Sequence, residues 1–222
     1  MARPGMTHVR HYFDYKSPYA FLAQAATSAL AAEPGITVEW LPYTLQIPKY
    51  LGDAALDAEG RDMVGTRNDH QWRRVRYAYM DCRREANRRG LVIRGPRRIF
   101  DSSLAHIAFL FVQTQGAPQA FHAACFDRFW RRELDLESSL ALSALMRETG
   151  YDANGFDAYA AGQGREAYEH LQTMAERTGV FGVPSWMVGD ELYWGLERLE
   201  RVYEQAGLIW RGETAPSSSS GF

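Results

Sequence analysis

Ser17-Pro18-Tyr19-Ala20 stand where a run rich in aromatic and β-branched residues gives way to one with helical spacing, within FDYKSPYAFLAQ at 13–24. A serine just before a helix accepts a backbone N–H of the first turn, and a proline behind it pre-sets the helical backbone angle. As a cap alone that is worth about 1 kcal/mol. The position also faces the positive end of the helix dipole, where negative charge is stabilised. Serine is a weak nucleophile without an adjacent base, and no histidine adjoins it in sequence. The chemistry left to Ser17 is to donate a hydrogen bond to an anion brought from outside, such as a thiolate.

A second stretch, GVFGVPSWMVGDELYWGLERLE at 179–200, carries groups of a different kind. Val183-Pro184 precedes a strand, a place for a cis proline. A bend there frees the N–H and C=O of Val183 to pair with an extended, peptide-like ligand. Leu196 and Glu197 then open a helix, and Glu197 in its first turn either caps that helix or receives a ligand ammonium. Residues 73–98 are dense in arginine. Most of these read as a solvated face, with some able to steer an anionic substrate toward a cleft. Tyr15, Tyr19, Trp186 and Trp194 are candidates for an apolar lining. The six histidines show no paired spacing, so no metal is expected. His106 reads as a core histidine. Cys82 and Cys125 lie in separate helical patterns and read as buried free thiols.

The elements that must position these groups follow from periodicity. Residues 8–15 read as a strand, 18–32 as a helix and 36–41 as a second strand, a β-α-β opening that implies parallel pairing. At 70–89 apolar residues recur in steps of three and four, the mark of an amphipathic helix. Further helices are expected at 102–115, 118–131, 137–149, 152–161 and 165–178. Two short apolar runs flank Gly189-Asp190, a hairpin signal, and a last helix follows Gly195. The order gives an α/β fold, a thioredoxin-like sheet interrupted by a large all-helical insertion. Its expected limits are 7–48 and 179–212 for the split thioredoxin-like domain, 49–178 for the helical insertion and 213–222 for a disordered tail.

Composition narrows the function classes. The 222 residues are 46% hydrophobic and 23% charged, ordinary values for a globular chain with a core. A net charge of −2 argues against a nucleic-acid partner. No apolar run approaches the length of a membrane span, the N-terminus has no signal-like apolar region, and two cysteines make no disulfide framework. A cytoplasmic, reducing location is expected, with no membrane partner.

Three segments together resemble the 2-hydroxychromene-2-carboxylate isomerases and the kappa-class glutathione transferases of the DsbA-like thioredoxin superfamily. FDYKSPYAFLA resembles the family's FDFxSPxSYLA, FGVPSWMVGDELYWGLERL resembles its FGVPTFxVxGExFWGxDRL, and RYAYMDCRREANRRGL resembles its Tyr…Asp…Ala…Gly helix. In thioredoxins the Ser17 and Ala20 positions hold redox cysteines; both sulfurs are absent here.

The resemblance implies glutathione, or another low-molecular-weight thiol, with its thiolate on Ser17. Its cysteinyl backbone would lie on Val183 beside a cis-Pro184, and its γ-glutamyl end at Leu196 and Glu197. Leu196 replaces a polar family residue, and Arg74 replaces a lysine. Asp53 and Asn68 are both candidates for a family asparagine, and Tyr19, Arg74 and Arg97 for contacts with an aromatic small-molecule substrate. The implied activity is cis-trans isomerisation of an unsaturated aromatic 2-oxo acid, in a homodimer. The alternatives are a kappa-class-like transferase or peroxidase, and a thioredoxin-fold binding protein without catalysis.

Overall fold

The computed structural model describes residues 6–212, so the tail expected at 213–222 lies outside the described residues. The chain runs through β1 (Thr7–Phe13), α1 (Pro18–Ala31), β2 (Ile36–Pro42), α2 (Ile47–Leu51) and α3 (Asp69–Arg88). It continues through α4 (Ser103–Gln113), α5 (Gln119–Arg131), α6 (Ser139–Glu148), α7 (Phe156–Ala161) and α8 (Gln163–Arg177). It returns as β3 (Ser185–Val188), β4 (Glu191–Trp194), a 3-10 turn (Leu196–Arg198) and α9 (Leu199–Gln205).

The strands form one mixed sheet in the order β2-β1-β3-β4. β1 and β2 pair in parallel, from Thr7 opposite Ile36 to Phe13 opposite Pro42. β3 pairs antiparallel with β1, placing Tyr12 opposite Ser185, and β4 folds back on β3. Being interior, β1 is covered on both faces, and Val9, His11, Tyr12 and Phe13 are buried. Pro42, which has no N–H to give a ladder, closes an edge strand.

Two apolar clusters hold the layers together. The smaller joins Val9, Trp186 and Val188 of the sheet to Ala23, Ala26 and Leu30 of α1 and to Leu199 and Val202 of α9. The larger spreads from Phe13, Tyr15 and Trp40 into α4 to α8, with Phe109, Phe126 and Trp130 among its fully buried side chains. The segment between β2 and β3 is not helical throughout. Residues 52–68 are irregular, with isolated bridges from Ala55 to Arg98 and Leu56 to Asp62. Gly52, Gly60 and Gly65 take positive φ there, which helices exclude. α3 has only Cys82 and Ala86 buried, so its N-terminal half lies on the surface.

Candidate functional site

The site sits at the carboxyl end of β1, where open α/β sheets place their ligands. Ser17 is the N-cap of α1, and its Oγ accepts the Ala20 N–H at 3.2 Å. The same Oγ donates to the carbonyl oxygen of Val183 at 3.4 Å, a long bond. The Val183–Pro184 peptide is cis. Among the described residues the Val183 N–H has no acceptor. The first turn of α1 and the loop before β3, 166 residues apart in sequence, therefore meet at Ser17 and Val183.

The third expected piece lies against them. Gly195 N–H donates to Pro184 O at 2.9 Å, so the 3-10 turn with Leu196 and Glu197 starts beside the proline, and α1 packs against that turn. Gly195 has φ +103°, and a Cβ there would lie 2.5 Å from the Glu197 carboxylate, which folds back over it. Leu196 is half-buried against both apolar clusters, whereas Glu197 is exposed. Phe181 and Trp194, both half-exposed, pack ring to ring at 4.9 Å beside the same loop.

The substrate candidates are scattered. The Tyr19 hydroxyl donates to Asp81 Oδ2 at 2.9 Å, tying α1 to α3. Arg74 lies seven residues before Asp81, two turns away on the same face of α3. With His70, Arg73 and Tyr77 it lines an open groove of ≈ 420 Å³. Asn68 is the N-cap of α3, its side chain spent on a reciprocal capping box with Gln71. Arg97 is exposed, and its carbonyl accepts the Leu56 N–H. Tyr15 and Trp186, candidates for an apolar lining, are fully buried core residues. Asp53 lines a second cavity of ≈ 250 Å³ together with Lys16, Thr44, Phe100 and Asp101.

That second cavity backs onto a polar network that sequence reading passed over. Asp14 is fully buried and accepts the N–H groups of Lys16 at 3.1 Å and Leu45 at 2.8 Å. Lys16 Nζ lies 3.4 Å from Asp14 Oδ2 and donates to Ser102 Oγ at 3.2 Å. The Tyr168 hydroxyl donates to Thr44 Oγ1 at 2.8 Å, and Thr44 Oγ1 lies 2.8 Å from His106 Nδ1. Thr44 has one proton, which therefore goes to Nδ1. The His106 proton is left on Nε2, facing Asp14 Oδ1 at 3.4 Å. Burial pushes the Asp14 carboxyl up, but Lys16 and His106 outweigh it and hold the group well below the usual carboxylate range. Burial lowers His106, against an opposing pull from Asp14, so the ring is neutral. The signal available in sequence was the pair of charged residues, Asp14 and Lys16, between a strand and its capping serine.

Cys82 and Cys125 are buried free thiols, and burial raises both, Cys82 to about 12. Among the described residues no group of three His, Cys, Asp or Glu could hold a metal ion, and no helix is long and apolar enough to cross a membrane.

Comparison with known proteins gives this geometry a family. The DSBA-like thioredoxin domain matches residues 8–206. The 2-hydroxychromene-2-carboxylate isomerase of Sphingobium xenophagum is 30% identical over 192 residues, 85% of this chain and 92% of that protein. A solved structure of 2-hydroxychromene-2-carboxylate isomerase superposes with a TM-score of 0.71 at 24% identity, covering 90% of this chain and 94% of its own. The cytosolic disulfide reductase DsbM from Pseudomonas aeruginosa, solved with GSH, shares the fold at a TM-score of 0.63 and 17% identity, over 90% of this chain and 96% of its own. The chain belongs to the DsbA-like thioredoxin family and, within it, to the family of the 2-hydroxychromene-2-carboxylate isomerases.

Proposed function

We propose that this protein is a thiol-dependent cis-trans isomerase of an unsaturated aromatic 2-oxo acid, with reduced glutathione or a similar small thiol as cofactor. The observation that carries the reading is the meeting of Ser17 Oγ with the Val183 backbone at 3.4 Å. A helix cap, a weakly engaged hydroxyl and an unpartnered N–H lie together, which suits a thiolate joined to an extended peptide.

When bound, the thiol supplies a sulfur that adds reversibly to a carbon–carbon double bond, making it a single bond about which the substrate can rotate. Ser17 turns its proton from Val183 O toward the sulfur. The positive end of α1 adds to that hydrogen bond in favouring the thiolate. The Val183 N–H and C=O align the cofactor backbone, and the turn at Leu196 and Glu197 faces its amino end. Arg74, in its exposed groove on α3, draws the substrate carboxylate toward the cleft. The reaction has no net redox change, in keeping with a site that lacks both thioredoxin sulfurs.

The test is calorimetric titration of reduced glutathione into the wild type and Ser17→Ala, followed by assay with 2-hydroxychromene-2-carboxylate. Binding and isomerisation by the wild type, both reduced in the variant, are expected. Absence of glutathione binding and of isomerisation would overturn the reading.

A further inference from the structure

We infer that the rings of Phe181 and Trp194 form the platform on which the substrate's aromatic ring stacks, an inference that rests on the isomerase reading above. Chain and sheet place the pair beside Val183. Phe181 stands two residues before Val183, so their Cα atoms are at most about 7 Å apart. Trp194 lies opposite Ser185 in the pairing of β3 with β4, and the next residue, Gly195, donates its N–H to Pro184 O at 2.9 Å. A Cβ at Gly182 would come within 2.5 Å of Trp194 Nε1, so the indole rests directly on the backbone of the residue before Val183. A side chain at Gly182 would displace it.

Covering these rings would favour folding, yet they are 54% and 49% exposed, whereas the Trp186 ring of β3 is fully buried. Large apolar groups left open beside a polar site mark a place for a ligand. The two rings meet at 57°, a tilted contact that uses part of each π surface and leaves the rest for a third ring.

The chemistry of addition names the occupant. In an aryl-substituted unsaturated 2-oxo acid, sulfur adds to the carbon farther from the oxo group, which is the carbon that carries the ring. The ring then stands two bonds from a sulfur held at Ser17, so its seat must adjoin the contact of Ser17 with Val183. A platform that grips the ring alone also leaves the oxo-acid half free to turn about the new single bond, which isomerisation requires. Arg74 acts by its charge on the free substrate at a distance and makes no contact in this arrangement.

The experiment uses the full chain as wild type, Phe181→Ala and Trp194→Ala, with S-benzylglutathione and S-methylglutathione as probes in calorimetric titration. The two thioethers share the tripeptide and differ in the ring, which the benzyl probe holds two bonds from sulfur. The wild type should bind the benzyl probe about tenfold more tightly. Each variant should lose most of that preference while binding the methyl probe as the wild type does. In isomerisation with glutathione, KM for the oxo acid should rise about tenfold in each variant, with KM for glutathione nearly unchanged. Equal affinity of the wild type for the two probes, or a preference that survives in both variants, overturns the platform and leaves the thiol site standing. Equal weakening of both probes in the variants overturns it too, because the rings would then only prop the Val183 loop. So does a wild-type dimer that dissociates in both variants, read by sedimentation, since the pair would then be an interface between copies. Failure of both probes to bind overturns the glutathione reading and the platform with it. A benzyl preference lost in the variants of a protein that does not isomerise removes the isomerase reading and keeps the platform.

Discussion

Replacing Ser17 with alanine separates structural from chemical work at one atom. The Oγ makes two bonds: it caps α1 through Ala20 N–H at 3.2 Å and reaches Val183 O at 3.4 Å. Loss of the cap costs about 1 kcal/mol. Loss of the longer bond adds about 0.5 kcal/mol. For a chain of this size the sum lowers Tm by about 3–6 °C, which differential scanning calorimetry resolves. The loss to a bound thiolate is larger, because a hydrogen bond to a charged group is worth about 1.5–3 kcal/mol. Glutathione affinity should therefore fall roughly ten- to hundredfold, read by titration calorimetry well below the variant's Tm. An unchanged Kd with the expected small drop in Tm would refute the thiolate assignment and leave Ser17 as a cap. A drop in Tm several times larger would refute the partition itself, because Ser17 would then be pinning the Val183 loop.

Arg74→Ala should raise KM for the oxo acid several-fold at low salt, less at high salt, and leave Tm nearly unchanged, since Arg74 is exposed; steady-state kinetics at two ionic strengths check this. Cys82 and Cys125 should resist alkylation in the native protein and react only on unfolding, because burial keeps both as thiols; mass spectrometry before and after denaturant reads the difference. His11 is fully buried, and desolvation takes it from an ordinary 6.5 down to about 3. The unfolded chain therefore binds the extra proton, so stability is complete above about pH 6.5 and is lost as pH falls toward 3, by about 2 kcal/mol at about pH 5. Denaturant unfolding at both pH values should show this loss for the wild type and a smaller one for His11→Phe. Asp14→Asn should destabilise by about 3–5 kcal/mol by stranding Lys16, whereas the double Asp14→Asn/Lys16→Met should cost much less; a double-mutant cycle completed with Lys16→Met, read by denaturant unfolding, measures the difference.

The fold was largely legible because its signals are local. The β-α-β opening, the three-four spacing across α3 and the Gly189-Asp190 hairpin each fall within one window of sequence. The stretch at 52–68 was read as part of a helical block because its glycines and aspartates act through turns that carry no periodicity. At the site, Ser17 and Val183 were legible because each has a backbone signature, a cap and an X-Pro bend. Asn68 was a candidate only through the resemblance to the family, and its capping of α3 has no such source. The Asp14–Lys16–His106 network was not legible, because its members come from the loop after β1 and from α4, and only the fold brings them within 3.4 Å.

That network also bears on why the junction is built as it is. A buried ion pair is a poor stabiliser, since an apolar pair of similar volume does as well or better. Asp14 and Lys16 are both buried and flank Tyr15 in the chain, between β1 and α1. The cost of the pair is set against position rather than stability. Asp14 ties the end of β1 to Leu45 beyond β2, and its carbonyl accepts the Ser17 N–H at 3.0 Å. One residue thus orients the ammonium of Lys16 through its carboxylate and the capping serine through its main-chain carbonyl. Two neighbouring residues with different tasks, a hydroxyl toward the cis-proline loop and an ammonium toward the cavity, share one rigid anchor. Moving that anchor would displace both together.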